Sequence, residues 1–205
     1  MKTYPSIDGK IIGKDVYAFD KLDGSNIRAE WTRKTKSFVK FGSRKRLLGE
    51  DQGKIAVAKE MISDIFLDEL SKVFNDQRYD RVISFFELYG PNSFAGHHPD
   101  DASEFKVTLI DVAPYKKGIL PPKEFTKWFS GVDIPPVLYY GKPSDPFVRS
   151  VRRSELEGMT YEGVVCKIQH KIGRPHTMFK IKSVAWLLEL KDYCDGNEHL
   201  YNMLK

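Results

Sequence analysis

The 205 residues are 41% hydrophobic and 13% aromatic, which excludes a chain that stays disordered for want of apolar surface to bury. Lys and Arg number 33 against 28 Asp and Glu, a net charge of +5 that suits a polyanionic partner without requiring one. Two cysteines exclude a disulfide scaffold and fit a reducing cytoplasm, and no segment has the roughly 20 apolar residues of a membrane span, so no membrane partner is expected.

In chain order, Val16–Asp20 reads as a strand, followed by a turn at Asp23-Gly24. Asn26–Thr32 alternates Ile27, Ala29 and Trp31 on one face and reads as the returning strand, with Ser37–Phe41 as a third. Residues 54–74 have a helical stripe of Ile55, Ala58, Ile62, Ile65, Phe66, Leu70 and Val73. Arg81–Leu88 and Phe105–Val112, rich in β-branched and aromatic residues, read as buried strands. Between them Pro91–Ser103 is a loop, and its His97-His98-Pro99-Asp100-Asp101 run lacks the spacing of a zinc site.

Pro122–Phe129 reads as a short helix with proline in its first turn, its Trp128-Phe129 pair packing into the core. Ile134–Pro146 reads as a second loop. Arg149, Arg152 and Arg153 admit two readings, a solvated helix start or a contact to a phosphate backbone. Glu162–Gln169, with Cys166 as a small buried apolar residue, and Thr177–Ile181 read as strands. Ser183 is an N-cap for a last helix through Tyr193. Strands mostly follow strands, which predicts an α+β fold with antiparallel or mixed sheets in a single domain.

Four segments carry chemistry: Lys21-Leu-Asp-Gly-Ser-Asn26, Phe86-Glu-Leu-Tyr-Gly90, Glu162-Gly-Val-Val165 and Lys180-Ile-Lys182. Lys21 between a strand and a turn sits at a sheet rim. A lysine attacks only when deprotonated, and desolvation or nearby cations such as Lys180, Lys182 or a bound Mg²⁺ would depress its pKa. Lys180 and Lys182, two apart on a strand, share a face and would grip phosphates together. Glu87 and Glu162, at strand ends, suit ribose hydroxyls or Mg²⁺. Alone, Lys-x-Asp-Gly is a plain hairpin turn and each carboxylate a solvated strand end.

Together and in this order, the segments resemble motifs I, III, IV and V of the covalent nucleotidyltransferases: ATP-dependent DNA ligases, RNA ligases and mRNA-capping enzymes. Lys-x-Asp-Gly-Ser-Asn and Glu-Leu-Tyr-Gly look most like phage-type RNA ligases that seal nicks in duplex RNA. The resemblance spans residues 21–182. It implies two sheets with flanking helices around a nucleotide-binding cleft, an adenylyltransferase core of ATP-grasp-like form. It implies ATP and Mg²⁺ or Mn²⁺ as cofactors, and RNA ends or nicks with a 5′-phosphate and a 3′-hydroxyl as partner. An end-healing or other protein is a further possible partner.

By that resemblance Lys21 is the nucleophile that takes AMP, within an ATP site of Asp23, Gly24, Arg44, Glu87, Glu162, Lys180 and Lys182. Glu162 and Glu87 would face the metal, and Glu87 the ribose. Asn26 and Arg44 would contact the nucleic acid, with Arg46 as a rival to Arg44. The sequence departs from the family twice. Val107–Val112 has no aromatic at its centre to stack on adenine; Phe105 lies two residues upstream, and an aliphatic side chain is the alternative. The 23 residues after Lys182 leave no room for an oligonucleotide-binding domain or another C-terminal domain, so a nucleotidyltransferase core spanning 1–205 is expected. A DNA ligase is the runner-up, and a binding module without ligase activity the reading from outside the enzymes.

Overall fold

A computed structural model describes residues 1–44, 46–47, 53–90 and 104–205. The loop 91–103, with its paired histidines, and the side chain of Ile55 lie outside the described residues. The chain order is β1 (Val16–Asp20), β2 (Ser25–Thr32), β3 (Ser37–Ser43), α1 (Gly53–Asp76), β4 (Arg81–Tyr89) and β5 (Lys106–Pro114). Then follow α2 (Pro122–Trp128), β6 (Val137–Gly141), α3 (Asp145–Arg152), β7 (Gly163–Ile168), β8 (Thr177–Lys182), α4 (Val184–Tyr193) and α5 (Glu198–Leu204).

The strands form two four-stranded sheets, in the orders β6-β1-β7-β8 and β3-β2-β4-β5. All their pairings are antiparallel, which gives the α+β class. β1 and β2 do not return on each other as a hairpin. β1 is taken on both edges by β6 and β7, and β2 by β3 and β4, so neither has a free edge for the other. The segment from Lys21 to Gly24 is therefore a crossing between sheets, and this places Lys21 in the space between them.

Each sheet covers one face with helix. On the second sheet, α1 buries Ala58, Ile62, Phe66, Leu70 and Phe74, spaced by four, against Ile27, Trp31 and Phe86. Phe74 belongs to this stripe, whereas Ile65 is 56% exposed, one step off the buried row. The Trp31 indole donates to Ser71 Oγ at 2.8 Å, satisfying its one polar atom inside the core. α2 adds Phe125 and Phe129 to the same core.

The first sheet packs on α3 through Phe147, Val148 and Val151, joined by Val16, Ala18, Val164, Cys166 and Phe179. The stretch Ile134–Pro146 is more ordered than a loop, since β6 lies within it. Tyr140 and Val137 stay exposed there, which removes the alternating apolar signal of a strand. Arg149 and Arg152 stand in the last turn of α3, not at its start, where cations complement the helix dipole. Ser183 Oγ accepts from Trp186 N at 3.1 Å and caps α4. Asn197 does the same for α5 through Leu200 N at 3.0 Å.

Among the described residues no helix is long and apolar enough to cross a membrane. Both cysteines are buried and unbridged.

Candidate active site

Lys21 leaves the end of β1 beside the start of β7, and its amide donates to Gly163 O at 3.0 Å. Glu162 stands just before β7. The Lys21 ammonium donates to Glu162 Oε2 at 2.7 Å, and Lys182, at the end of β8, approaches Glu162 Oε1 at 2.7 Å. One carboxylate, 3% exposed, thus joins the two lysines. Gly163 allows this closeness. Its φ is +138°, and a Cβ there would collide with the Ile181 carbonyl and stand 2.9 Å from Lys182 Cα. Gly24 performs a similar service at the crossing, where a Cβ would collide with the Leu88 carbonyl of β4.

Lys182 is also held from the other side. Its ammonium lies 3.5 Å from the centre of the Trp186 ring, and Trp186 is buried in the first turn of α4. Lys180 Nζ donates to the Lys205 carbonyl at 2.7 Å. Deeper in, Lys167 is buried and donates to Ile110 O at 2.8 Å; it lies 2.8 Å from Asp111 Oδ2. The Tyr4 hydroxyl donates to the same Asp111 oxygen at 2.6 Å.

Charge and burial compete across the cleft. Burial lowers the Lys21 pKa, but Glu162, Glu87 and Asp23 together raise it above the ordinary lysine value. The expected depression by Lys180 and Lys182 is therefore corrected: in the free protein the nearest groups to Lys21 are carboxylates, and they hold the proton on. Burial pushes Glu87 up to about 8, helped by Glu162 and Asp23 and opposed by Lys21. Burial also raises Glu162, yet Lys21 and Lys182 outweigh it and hold this carboxyl below its usual range. Lys182 is lowered to about 8, first by burial, with Glu162 opposing and Lys21 assisting. Burial and Lys21 lower Lys180 as well.

A cavity of about 360 Å³ between the sheets gathers Lys21, Asp23, Gly24, Asn26, Arg44, Glu87, Glu162, Lys180 and Lys182. Four chain segments that are far apart in sequence thus meet in one place. Arg44 reaches the wall, where its Nη2 donates to Ser6 Oγ at 3.0 Å. Arg46 is exposed and is not among the lining residues. Nor are Arg149, Arg152 or Arg153.

The centre of Val107–Val112 supplies aliphatic Ile110 to the cavity, facing the same space as Val165. Phe105 packs instead against the core around Phe86. Sequence reasoning missed Tyr4, Lys167, Trp186 and the pair Met203 and Leu204, all of which line the cavity. The signal for Lys167 was a charged residue in an otherwise apolar strand, and for Trp186 its place three residues after a helix cap.

The residues suit a nucleotide with a divalent cation. Asn26 Oδ1 is buried without a hydrogen-bond partner among the described residues, while its Nδ2 donates to Phe86 O at 3.3 Å. Such an orphaned acceptor beside Lys21 is what a ligand donor would satisfy. Glu87 is a desolvated carboxyl whose pKa favours retention of its proton, and a cation nearby would relieve that burden. Among the described residues no three His, Cys, Asp or Glu side chains group as a metal cage. A cation here would take its remaining oxygens from phosphate and water, as Mg²⁺ commonly does.

Residues 14–182 match the model of a family described as RNA ligase. No curated protein matches the chain. Among solved structures, the fold resembles a Naegleria gruberi RNA ligase mutant with AMP and Mn, at a TM-score of 0.64 and 18% identity, over 88% of this chain and 53% of that one. Naegleria gruberi RNA ligase with PPi gives a TM-score of 0.63 at 18% identity, over 88% and 52%. A mutant with ATP and Mn gives 0.62 at 18% identity, over 88% and 52%. The likeness is one of fold, and the chain spans about half the length of these structures.

Proposed function

Because the chain belongs to the RNA ligase family, we propose that it is an ATP-dependent RNA ligase whose Lys21 carries AMP as a covalent intermediate. The observation that carries this reading is the 2.7 Å contact of Lys21 with Glu162 inside a cavity that also holds Glu87, Lys180 and Lys182. The solved relatives with AMP, ATP, PPi and Mn support ATP and a divalent metal as its cofactors.

In the first step Lys21 Nζ attacks the α-phosphorus of ATP. A phosphoramidate bond forms, the bond to the bridging oxygen breaks, and pyrophosphate leaves with that electron pair. Lys180 and Lys182 neutralise the phosphates. AMP then passes to a 5′-phosphate end, freeing the lysine. Finally a 3′-hydroxyl attacks the activated end, the phosphodiester forms and AMP departs. Asn26 and Arg44 would orient the end being joined.

Lys21 must lose its proton before it attacks. Mg²⁺ or Mn²⁺ held by Glu162 and Glu87 with phosphate oxygens would supply positive charge against the carboxylates that keep Lys21 protonated. Glu87 also suits the ribose hydroxyls. Ile110 and Val165 offer aliphatic surfaces to the adenine, in place of the aromatic that the family usually supplies. Both sheets contribute to one cleft, which supports reading 1–205 as one nucleotidyltransferase unit. A cytoplasmic setting fits two buried, unbridged cysteines.

The test is incubation with α-³²P-ATP and Mg²⁺ or Mn²⁺, followed by a denaturing gel. Wild type is expected to carry label, and Lys21→Ala none while folding normally. Label persisting on Lys21→Ala would overturn the assignment of the nucleophile. Nicked RNA and nicked DNA duplexes, offered side by side to the labelled protein, then decide the substrate; sealing of DNA alone would overturn the RNA reading.

A further inference from the structure

The positive charge of the chain is concentrated at one end of the sheets. Four loops lie at the strand ends remote from Lys21: residues 33–36 after β2, 77–80 after α1, 115–118 after β5 and 170–176 between β7 and β8. The first holds Arg33, Lys34 and Lys36, and the second Arg78. Lys116 and Lys117 stand in the third, Lys171 and Arg174 in the fourth. Within these loops eight Lys and Arg stand with one carboxylate, Asp80, whereas the whole chain has an excess of only five; Glu30, 4.0 Å from Arg81, lies beside them. The rest of the chain together is net negative, so these loops are strongly basic relative to it.

The loops form one continuous surface. Arg33 N donates to Asp80 O at 2.9 Å, and Tyr115 N to Arg81 O at 2.9 Å. The Lys117 ammonium lies 4.9 Å from the centre of the Tyr79 ring. Gly173 N donates to Lys117 O at 3.2 Å, tying the end of one sheet to the end of the other. All the cations except half-buried Arg33 are exposed. Asp80 lies near Arg33, at 3.7 Å, so the carboxylate offsets little of the remainder. Tyr115 is 59% exposed between two cations, Arg81 at 5.2 Å and Lys116 at 5.4 Å from its ring.

We propose that this face is a second RNA-binding surface, which holds the phosphate backbone of RNA away from the ends at Lys21. Spaced cations on exposed loops suit a repeating polyanion and read no sequence. Six residues of β8 separate loop 170–176 from the cleft, roughly 20 Å at about 3.3 Å per residue. RNA held here raises the local concentration of its own ends. The choice of RNA as the polyanion rests on the ligase reading; the surface itself does not.

The test is fluorescence anisotropy of a labelled RNA duplex without 5′-phosphates, titrated at several salt concentrations. In the fourfold variant Lys34→Gln, Lys117→Gln, Lys171→Gln, Arg174→Gln, the salt dependence of log K should be shallower by about 3, near 0.7–0.9 for each lost phosphate contact. Affinity at low salt should fall at least about tenfold, by the same counting of contacts. AMP labelling should match wild type, because no changed residue lies at the cleft. Removal of three cations elsewhere, Arg149 and Arg152 on α3 and Arg153 at its C-cap, should leave the slope unchanged. If the fourfold variant unfolds, the pair Lys34→Gln and Arg174→Gln should shift the slope by about half as much. An unchanged slope and affinity, or no duplex binding by wild type, would overturn the proposal. Absence of AMP label with the salt effect intact would instead remove the ligase reading and leave the surface standing.

Discussion

Replacing Gly163 by alanine tests whether the site is built by the close approach of two strands. The glycine sits at φ +138°, and a Cβ would stand 2.9 Å from Lys182 Cα, with the Ile181 carbonyl nearer still. Both obstacles are backbone, so no rotamer relieves them. Carbon contacts settle at about 3.5–4.0 Å, so β8 must retreat by roughly 0.6–1.1 Å from that Cα alone. Carried to the side chains, this would open the 2.7 Å Lys182–Glu162 contact to roughly 3.3–3.8 Å, at the limit of a hydrogen bond. Backbone strain of about 1–3 kcal/mol and a weakened charged hydrogen bond give a cost of about 3 kcal/mol. At about 2–4 °C per kcal/mol for a chain of this size, the Tm should fall by roughly 6–12 °C. A displacement near 1 Å in a catalytic site costs up to about 100-fold in rate, and adenylylation should fall toward that level.

Gly173→Ala is the control. Gly173 also has a positive φ, +83°, but a Cβ there meets nothing within 4 Å. Its cost should be strain alone, about 1 kcal/mol, with adenylylation unchanged. Calorimetry and AMP labelling of both variants, side by side, make the comparison. If Gly163→Ala behaves like Gly173→Ala in both measurements, the close-approach argument is wrong.

Lys167→Met should destabilise by about 3–5 kcal/mol, because Asp111, fully buried, loses its cation and keeps the Tyr4 hydroxyl as a donor; a Tm within 2–4 °C of wild type, the equivalent of about 1 kcal/mol, would refute it. Trp186→Leu should slow adenylylation by up to about 30-fold, the worth of a desolvated cation–π contact near 2 kcal/mol, while Trp186→Phe retains most of the rate. Arg44→Ala should impair strand joining and Arg46→Ala should not, since Arg44 alone of the two lines the cleft; equal losses measured by gel would contradict this placement.

Much of the site was legible because its residues combine a fixed spacing with a backbone requirement. Lys21 followed by Asp23-Gly24, and Glu162 followed by Gly163, mark positions where side chain and tight backbone are needed together. The four segments come from both sheets, and it was their resemblance to the nucleotidyltransferase motifs that implied one cleft. The strand that escaped notice, β6, lacks alternation because its outer residues are exposed at a sheet edge. α5 buries no residue fully, so it carried little periodic signal. The hairpin expected from Asp23-Gly24 did not form because pairing depends on which edges are free, and local turn chemistry says nothing of partners taken from residues 137–141 and 163–168.

The protonation of Lys21 is the instructive case. From sequence, desolvation and the charge of Lys180, Lys182 or a bound Mg²⁺ suggested a depressed pKa. In the fold, Lys180 and Lys182 do reach the cavity, but Glu162 stands between Lys21 and Lys182 and holds both. Distance then decides: a carboxylate in hydrogen-bond contact outweighs cations farther away. The arrangement keeps the amine charged and unreactive until the charge on Glu162 is countered, which is the condition that a metal-bound nucleotide would bring. The nucleophile would therefore be activated by its substrate's arrival and not by its resting surroundings. Adenylylation should accordingly require the divalent ion even at saturating ATP, and labelling with ATP and EDTA should be absent; label of wild-type intensity under EDTA would show that the resting cleft already supplies a free amine.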